Sequence, residues 1–336
     1  MTRTAAERAA RVRRSAGLFQ RTDRGLLRVA GADRVRWLDG MLSNDVRSLA
    51  VGPERSGCYA LLLSPKGRIL ADLHVLQRGD AYWLELAGDA LERVRARLER
   101  YVIADDVTLS DETPAWARLA LEGPDARAIF ERASGAPLRL AAECCDERQL
   151  AGADLVVAGW GESACALQLF VPCGREREVA DALRAAAPSG LVDGDDETLE
   201  VLRIEAGIPR LGAELDDEVF PAEVGLVARA VSLSKGCYTG QEIVARLESR
   251  GQVNHRLVGL RCTDASPPSP GTPLYDVADK RVGEITSACL SEAAGAIALG
   301  FVRLPLDVPG TELRAGSQRV QVAALPFVPP PAEAQP

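Results

Sequence analysis

The residues with the clearest chemical potential lie in one short segment, Lys235–Glu242, which reads KGCYTGQE. The positions after it carry an apolar stripe at helical spacing, so Cys237 is expected just ahead of a helix start. Backbone N–H groups and the positive end of the helix dipole stabilise a thiolate there, and Lys235 lies two residues away. We therefore expect Cys237 to be a working thiol that Lys235 activates. The alternative is the ordinary fate of a free cysteine, a small buried apolar residue.

The remaining motif positions are Gly236, Tyr238, Gly240, Gln241 and Glu242. Thr239 or Gly240 can start the helix, and Gly251 can end it. Glu242 and Arg246 lie four apart, so they can pair on the solvent or ligand face of that helix, and Arg246 is a candidate ligand contact. A cysteine hydrolase would also need a positioned base, and His255 has no visible third partner.

Lysine is nearly excluded from this chain, which contains 37 arginines and three lysines. Two of the three, Lys66 and Lys235, are followed by glycine in segments typical of turns. A compact ammonium and a planar guanidinium are not interchangeable. The pattern therefore suggests that positions 66 and 235 require an ammonium where arginine would not fit.

Charge and composition exclude several function classes. The net charge of −8 disfavours a broad nucleic-acid surface, although residues 1–36 carry ten arginines and could form an anion-binding face. Residues 1–17, which are rich in arginine and poor in acids, are expected to form a frayed or helical surface segment, and an organelle presequence is the alternative. No apolar run would span a bilayer and no secretion signal opens the chain, so we expect a cytoplasmic protein. No long apolar heptad suggests oligomerisation, and we expect a monomer.

The eight cysteines have no spacing typical of a metal site or a disulfide scaffold. They lie at positions 58, 144, 145, 165, 173, 237, 262 and 289. Only two histidines are present to assist them, His74 and His255. We therefore expect no zinc or iron–sulfur site encased by this protein, and reduced thiols.

The elements that must position these residues form a mixed pattern of strands and helices. Alternating apolar runs predict strands at 57–63 and 68–77, joined by a Ser64–Gly67 turn, and a strand at 81–88. Helical periodicity predicts helices near 33–42, 89–101, 126–133, 176–186 and 195–206, the last ended by Gly207. Beyond His255 only short alternating runs follow, which predicts a small all-β unit at 255–328. The Pro-rich end, 329–336, is expected to be disordered.

The segment KGCYTGQE resembles the signature of the YgfZ-type folate-binding proteins, which are relatives of the aminomethyltransferase (T-protein) of the glycine cleavage system. Further stretches are similar in the same order. They are LRVAGADRVRWLDGMLSNDV, SPKGRILADLHV, LRIEAGIPRLGAELDDEVFPAEVGL, VGEITSA and ALGFVR. The chain is therefore identified as a member of this superfamily over nearly its whole length.

The resemblance implies an α+β fold with mixed sheets, helices and a ferredoxin-like subdomain, followed by a small C-terminal β-barrel. It implies a folate-binding region at 1–254, with subdomains at 1–110 plus 195–254 and at 111–194. A central hole or cleft would bind tetrahydrofolate. Glu205 and Glu223 occupy positions where the T-protein's folate-contacting carboxylates fall, and a carboxylate can accept both adjacent N–H donors of a pterin. Lys66, Arg68 or the Arg-rich N-terminal region would neutralise the glutamate tail.

One departure from the T-protein pattern bears on activity. T-proteins have an Asp-Asp pair where this chain reads Ala71-Asp72, and one of those acids is thought to drive aminomethyl transfer. Asp72 would keep that role or merely face solvent. Since T-proteins also lack the KGCYTGQE loop, the YgfZ branch is favoured.

The expected function is therefore a folate-binding accessory protein for iron–sulfur enzymes, and so for tRNA modification. Folate would occupy the cleft, Cys237 would be the working thiol, and iron–sulfur client or assembly proteins would be the partners. The alternative is a tetrahydrofolate-dependent aminomethyltransferase, or another one-carbon transferase, that acts through Asp72. A third possibility, an RNA-binding module, rests only on the N-terminal arginines. Whether the protein is an enzyme stays open at this stage.

Overall fold

The computed structural model describes residues 3–163, 165–251 and 253–330. The helices within these ranges are α1 (Ala5–Arg14), α2 (Arg34–Met41), α3 (Leu91–Glu99), α4 (Ala126–Ser134), α5 (Glu176–Ala185), α6 (Asp196–Ala206), α7 (Val227–Ala230) and α8 (Gln241–Arg250). No helix in this part of the chain is long and apolar enough to cross a membrane.

The strands divide into three sheets. They are β1 (Gly17–Gln20), β2 (Arg24–Ala30), β3 (Gly57–Leu63), β4 (Ile69–Arg78), β5 (Ala81–Ala87), β6 (Thr108–Asp111), β7 (Trp116–Glu122), β8 (Cys145–Leu150), β9 (Ala153–Ala158), β10 (Leu167–Pro172), β11 (Val192–Asp193), β12 (His255–Cys262), β13 (Pro273–Tyr275), β14 (Arg281–Ser291), β15 (Gly295–Arg303), β16 (Glu312–Ala315) and β17 (Gln318–Ala323).

The first sheet is antiparallel, with the order β3-β4-β5-β2-β6. The second has the order β11-β1-β7-β10-β9-β8 and is mixed, because β11 pairs in parallel with β1. The last six strands close into a barrel with the order β12-β15-β14-β13-β16-β17. The predicted fold class, α+β with mixed sheets and a C-terminal barrel, is confirmed.

Apolar periodicity accounts for the elements nearest the cleft. On β4 the side chains of Ala71, Leu73 and Val75 are fully buried against α2 and α3, while the intervening residues face the other side of the sheet. Burying a leucine or valine of this kind contributes about 1.5–3 kcal/mol, so the register of β4 is strongly fixed.

The predicted helix at 195–206 is present as α6, and its ends follow the expected chemistry. The Asp195 side chain accepts a hydrogen bond from the Thr198 backbone N–H at the start, and Gly207 ends the helix with φ of 71°. The N-terminal arginine-rich stretch forms α1, which packs on α6 through Ala9 and Val12. Disorder was predicted for residues 329–336. Of these, residues 331–336 lie outside the described ranges.

Candidate functional site

A cavity of about 640 Å³ lies between the first sheet, the second sheet and α6. Its walls come from the β1–β2 turn, the cavity-facing side of β3 to β5, the 160–162 loop, α6 and Arg229. The volume falls within the roughly 300–1,000 Å³ that small-molecule sites occupy. This cavity is the candidate site.

The sheet side of the cavity carries polar residues at alternate positions. Asp72 and His74 point into it from β4, and Glu85 lies opposite His74 on β5. Tyr59 lies opposite His74 on β3. Because side chains alternate along a strand, the apolar residues between them face the core instead. One face of these strands therefore supplies apolar side chains to the core, and the other supplies polar side chains to the cavity.

An aromatic wall stands next to these polar groups. The ring of His74 stacks on Trp160, with centroids 4.1 Å apart and an interplanar angle of 7°. The Tyr59 ring lies 4.9 Å from His74, and the Arg229 guanidinium covers the Tyr59 ring at 4.3 Å. Flat π surfaces of this kind favour a planar ligand.

Two carboxylates near Asp72 are neutralised by cations. Glu85 accepts a bidentate pair of hydrogen bonds from Arg24, at 2.7 and 2.9 Å, and a third at 3.1 Å from Arg118. Burial acts to raise the pKa of Glu85, but the charges of Arg24 and Arg118 outweigh it and hold the pKa well below its usual range. Glu85 is therefore a fixed anion that accepts three hydrogen bonds from two arginines.

Glu143 has the same character on the other side of Asp72. One of its oxygens lies 2.7 Å from His74 Nδ1, and the other accepts hydrogen bonds from Arg229 at 2.5 and 2.9 Å. Burial raises the pKa of Glu143, yet His74 and Arg229 together lower it to about 2. Glu143 thus orients two cavity-lining side chains.

Asp72 differs from both neighbours. It accepts a 2.9 Å hydrogen bond from the Tyr59 hydroxyl, and no cationic side chain in the described ranges lies within 4.0 Å of its carboxylate. Burial, and after it the Asp72 charge, raise the pKa of Tyr59 well above its ordinary value, so the phenol stays a donor. Asp72 is a half-buried carboxylate, oriented by Tyr59, that faces the cavity, and the charges of Arg24 and Arg229 act on it from more than 4.0 Å away.

Ala71, which stands where T-proteins have the first acid of an Asp-Asp pair, does not face the cavity. Ala71 is fully buried in the core on the opposite side of β4 from Asp72. An acidic side chain at position 71 would point into apolar packing rather than into the cavity. Replacing it by alanine therefore removes no group from the candidate site.

Glu205 lies in a smaller chamber of about 350 Å³ that shares Trp160, Ile208 and Arg229 with the main cavity. The carboxylate is 2% exposed. Its Oε1 pairs with Arg13 and accepts from the Ser291 hydroxyl, both at 2.5 Å, and burial raises its pKa. Glu205 and Asp72 therefore lie in adjoining spaces, not in the same one.

The carboxylate of Glu223 is hydrogen-bonded within its own loop. Its Oε2 accepts a 2.8 Å hydrogen bond from the Phe220 backbone N–H, which caps a one-turn helix at Pro221–Val224. His255 Nε2 lies 3.6 Å from its other oxygen, and Arg68 lies 3.9 Å from Oε2. Glu223 lines neither chamber, so the structure does not bring it together with Asp72.

The Lys235–Glu242 loop lies outside both chambers. Cys237 is exposed and lies four residues ahead of Gln241, where α8 begins. The predicted helix limits are confirmed, since Gly240 and Gly251 flank α8 in left-handed conformations. A Cβ at Gly240 would stand 2.6 Å from the Ser64 carbonyl oxygen, so this close approach requires glycine.

Lys235 contacts backbone carbonyls rather than a thiol. Its ammonium donates to the carbonyl oxygens of Asp39, Leu42 and Asn44 at 2.5, 2.8 and 2.8 Å. An ammonium has three N–H donors, and these carbonyls together with the Asp39 carboxylate, 3.1 Å away, account for all of them. The structure thus gives Lys235 a different task from the predicted activation of Cys237, which stays an untested prediction.

The other predicted positions are also remote from the cavity. Lys66 and Arg246 are exposed and line neither chamber. Tyr238 is buried beneath the loop, and burial raises its pKa to about 12. Gly236, Gln241 and Glu242 belong to the loop and the first turn of α8.

Sequence reasoning missed most of the residues that surround Asp72. The alternation of Asp72 and His74 within an apolar strand was a usable signal, because it marks one polar face. Tyr59, Glu85, Trp160 and Arg229 carried no comparable signal. They come from four separate segments of the chain.

Among the described residues no cluster of three or more histidines, cysteines, aspartates or glutamates has the arrangement of a metal site. The chemistry available in the cavity is that of an oriented carboxylate, an aromatic wall and paired arginines.

Comparisons with known proteins cover nearly the whole chain. The family model described as the GCVT N-terminal domain matches residues 1–235, and that of the glycine cleavage T-protein C-terminal barrel domain matches residues 255–332. The aminomethyltransferase of Moorella thermoacetica is 30% identical over 326 residues, covering 94% of this chain and 87% of that protein. The probable aminomethyltransferase of Natronomonas pharaonis is 33% identical over 333 residues, with coverages of 94% and 88%.

A solved structure has the same fold. The glycine cleavage system aminomethyltransferase T from Bartonella henselae superposes with a TM-score of 0.86 at 24% identity, covering 96% of this chain and 89% of that one. The expectation of an accessory protein for iron–sulfur enzymes is wrong, because the curated relatives that match over 94% of the chain are named aminomethyltransferases. The comparisons likewise give no support to iron–sulfur client partners or to tRNA modification.

Proposed function

Because this chain belongs to the glycine cleavage T-protein family, we propose that it is a tetrahydrofolate-dependent one-carbon transferase whose transferred unit is an aminomethyl group. The observation that carries the proposal is Asp72, a carboxylate that faces a cavity of about 640 Å³ and has no cationic side chain of the described residues within 4.0 Å. This function is the alternative that the sequence left open, an aminomethyltransferase that acts through Asp72.

The residues of the cavity fit a reduced folate. A pteridine needs a flat apolar face and polar partners at its edge, and the wall of Tyr59, His74 and Trp160 stands beside polar groups such as Gln168. When bound, tetrahydrofolate supplies a nucleophilic nitrogen that accepts a one-carbon unit. Asp72, Tyr59 and the aromatic wall are the groups that we propose to contact it.

Asp72 acts in this proposal as an electrostatic and proton-handling group. A carboxylate that makes no close ion pair stabilises positive charge on a nearby amine or one-carbon unit. The same oxygen atoms can accept a proton from an amine and return it to a leaving amine. Tyr59 holds one of these oxygens in place through its 2.9 Å hydrogen bond.

Glu85 and Glu143 have a positioning role. The pKa of Glu85 is lowered by Arg24 and Arg118 and that of Glu143 by its contacts with His74 and Arg229, so both carboxylates stay anionic and hold their partners in place. Glu143 fixes Arg229 and His74, which lie on either side of Tyr59 in the cavity wall. Of the three carboxylates Asp72, Glu85 and Glu143, Asp72 is therefore the one that we propose to react.

The predicted ligand contacts divide according to their positions. Asp72 and Glu205 stay within the proposed site, with Glu205 in the adjoining chamber. Lys66, Glu223 and Arg246 are left out, because they line neither space. The narrower resemblance to the YgfZ-type branch stays a prediction that rests on the Lys235–Glu242 loop.

The test is a direct assay. Purified protein is incubated with an aminomethylated lipoyl carrier and tetrahydrofolate, and methylene-tetrahydrofolate and ammonia are measured. We expect both products from the wild type, and a loss of about 10²–10⁴-fold in the rate for Asp72→Asn, since general acid–base and charge stabilisation are both removed.

The matched control is Asp80→Asn, which changes an 88% exposed aspartate in the turn between β4 and β5 of the same sheet. It should leave the rate unchanged. If the wild type forms no methylene-tetrahydrofolate while an established aminomethyltransferase does so under the same conditions, the proposal fails.

A further inference from the structure

Lys235 is buried although it lies in the loop that carries the exposed Cys237. Its side chain is 1% exposed, and its ammonium donates to three backbone carbonyl oxygens that converge on one point. The Asp39 carboxylate, 3.1 Å away, balances the charge. This arrangement accounts for the presence of lysine in a chain that otherwise uses arginine, because a planar guanidinium cannot direct three N–H groups to one such cluster.

The three carbonyls belong to the end of α2 and the turn that follows it. The last carbonyl groups of a helix lack intrahelical partners, and a cation there is favourable. Asp39 also holds this turn from the other side, because it accepts from the Val46 backbone N–H at 3.3 Å and pairs with Arg47 at 3.0 Å. Lys235 therefore fixes the segment from Asp39 to Asn44.

Asn44 links this segment to the cavity. Its side-chain amide donates to the backbone carbonyls of Tyr59, at 2.8 Å, and of Arg229, at 3.1 Å. Tyr59 is the residue that bonds the Asp72 carboxylate, and Arg229 covers the Tyr59 ring. A continuous set of hydrogen bonds thus leads from the Lys235 ammonium to the residue that orients Asp72.

We propose that Lys235 is a positioning residue for Asp72, which it serves by holding the Asn44 turn against Tyr59 and Arg229. The inference rests on the proposed function only in naming Asp72 as the reacting group. The contacts themselves connect Lys235 with the cavity wall whatever the reaction is.

A merely structural lysine would behave differently. Its loss would lower the free energy of unfolding and leave the cavity of the remaining folded molecules intact. A positioning lysine alters the cavity in molecules that are fully folded, because misplacing a reacting group by about 1 Å can reduce a rate roughly 10²-fold.

The experiment compares Lys235→Arg, Lys235→Met and Asn44→Ala with Lys280→Arg, which changes an exposed lysine of the barrel. Thermal unfolding establishes the folded fraction of each variant. The first readout needs no activity. It is the ¹³C NMR signal of the Tyr59 ring in tyrosine-labelled protein, assigned among five tyrosines with Tyr59→Phe.

We expect the Tyr59 signal to move in the three test variants and to stay in place in Lys280→Arg. In the transfer assay we expect kcat to fall roughly 10- to 100-fold in folded Lys235→Arg, with a smaller change in KM and an altered pH profile of kcat. Asn44→Ala should reproduce this pattern, which keeps the test decisive if Lys235→Met fails to fold.

A Tyr59 signal that coincides with the wild type in folded Lys235→Arg and Asn44→Ala overturns the inference, and so does an unchanged kcat in both. If the wild type itself makes no methylene-tetrahydrofolate, the proposed function fails while the NMR comparison still decides the role of Lys235.

Discussion

The cavity face of β3 to β5 and the Lys235–Glu242 loop carry similar side-chain types and present them in opposite ways. In the cavity, Asp72 has no cation within 4.0 Å in the described part of the chain, whereas Glu85 and Glu143 beside it are tightly paired. In the loop, the cation is saturated by carbonyls and the thiol of Cys237 is exposed outside both chambers. The difference teaches that a chemically conspicuous segment can support a site that another part of the chain provides.

The largest expected effect on stability sharpens this contrast. Glu85→Gln removes the buried carboxylate charge with which both Arg24 and Arg118 pair, and so leaves two buried guanidinium groups without their anionic partner. We expect a loss of about 3–5 kcal/mol in the free energy of unfolding, measured by urea denaturation. Glu242→Gln, at the exposed start of α8, should change it by less than about 0.5 kcal/mol. Equal losses in the two variants would erase the distinction between the regions.

A second prediction concerns pH and the loop that bears Trp160. Glu122 is fully buried and accepts from the Glu162 backbone N–H and the Ser163 hydroxyl. Burial raises its pKa from 4.5 to about 7. The folded state therefore binds this proton more tightly than the unfolded state between these values, and stability falls as pH rises through that window.

Above about pH 7 the contribution of this proton levels off. Between about pH 5 and 8 the free energy of unfolding of the wild type should therefore fall by on the order of 2–3 kcal/mol relative to that of Glu122→Gln. Urea denaturation of both proteins across this range measures the difference. Parallel curves for the two proteins would show that Glu122 does not titrate in this window.

A third prediction compares two buried tyrosines. Tyr59→Phe removes the hydrogen bond that orients Asp72, and we expect kcat for methylene-tetrahydrofolate formation to fall roughly 10-fold. The hydroxyl of Tyr238 has no hydrogen-bond partner among the described residues, so Tyr238→Phe should keep kcat within about two-fold. A larger loss in Tyr238→Phe than in Tyr59→Phe would move the chemistry toward the loop.

The smallest expected effect provides the sharpest way to break the comparison. Cys237→Ser preserves size and lies outside the cavity, so its rate of methylene-tetrahydrofolate formation should stay within about two-fold of the wild type. A loss of about ten-fold or more in folded protein would show that the thiol takes part in the reaction.

The local elements could be predicted from the sequence, and the site could be predicted only in part. Strands β3 to β5 and helix α6 follow from apolar periodicity and from turn and cap residues such as Gly207, which act over a few positions. Asp72 was found through the resemblance of SPKGRILADLHV to the T-protein segment that carries an acidic pair. The partners of Asp72 and Lys235 could not be found, because hydrogen bonds such as Lys235 to Asp39 join positions 196 residues apart. Such pairings depend on how sheets and helices pack, which local patterns do not encode.

The most direct test of the account is a structure of the protein with tetrahydrofolate bound. The account predicts the pteridine ring in the main cavity, beside the wall formed by Tyr59, His74 and Trp160, with a nitrogen facing the Asp72 carboxylate and no contact with the Cys237 sulfur. A folate bound against the Lys235–Glu242 loop, with the cavity unused, would contradict it.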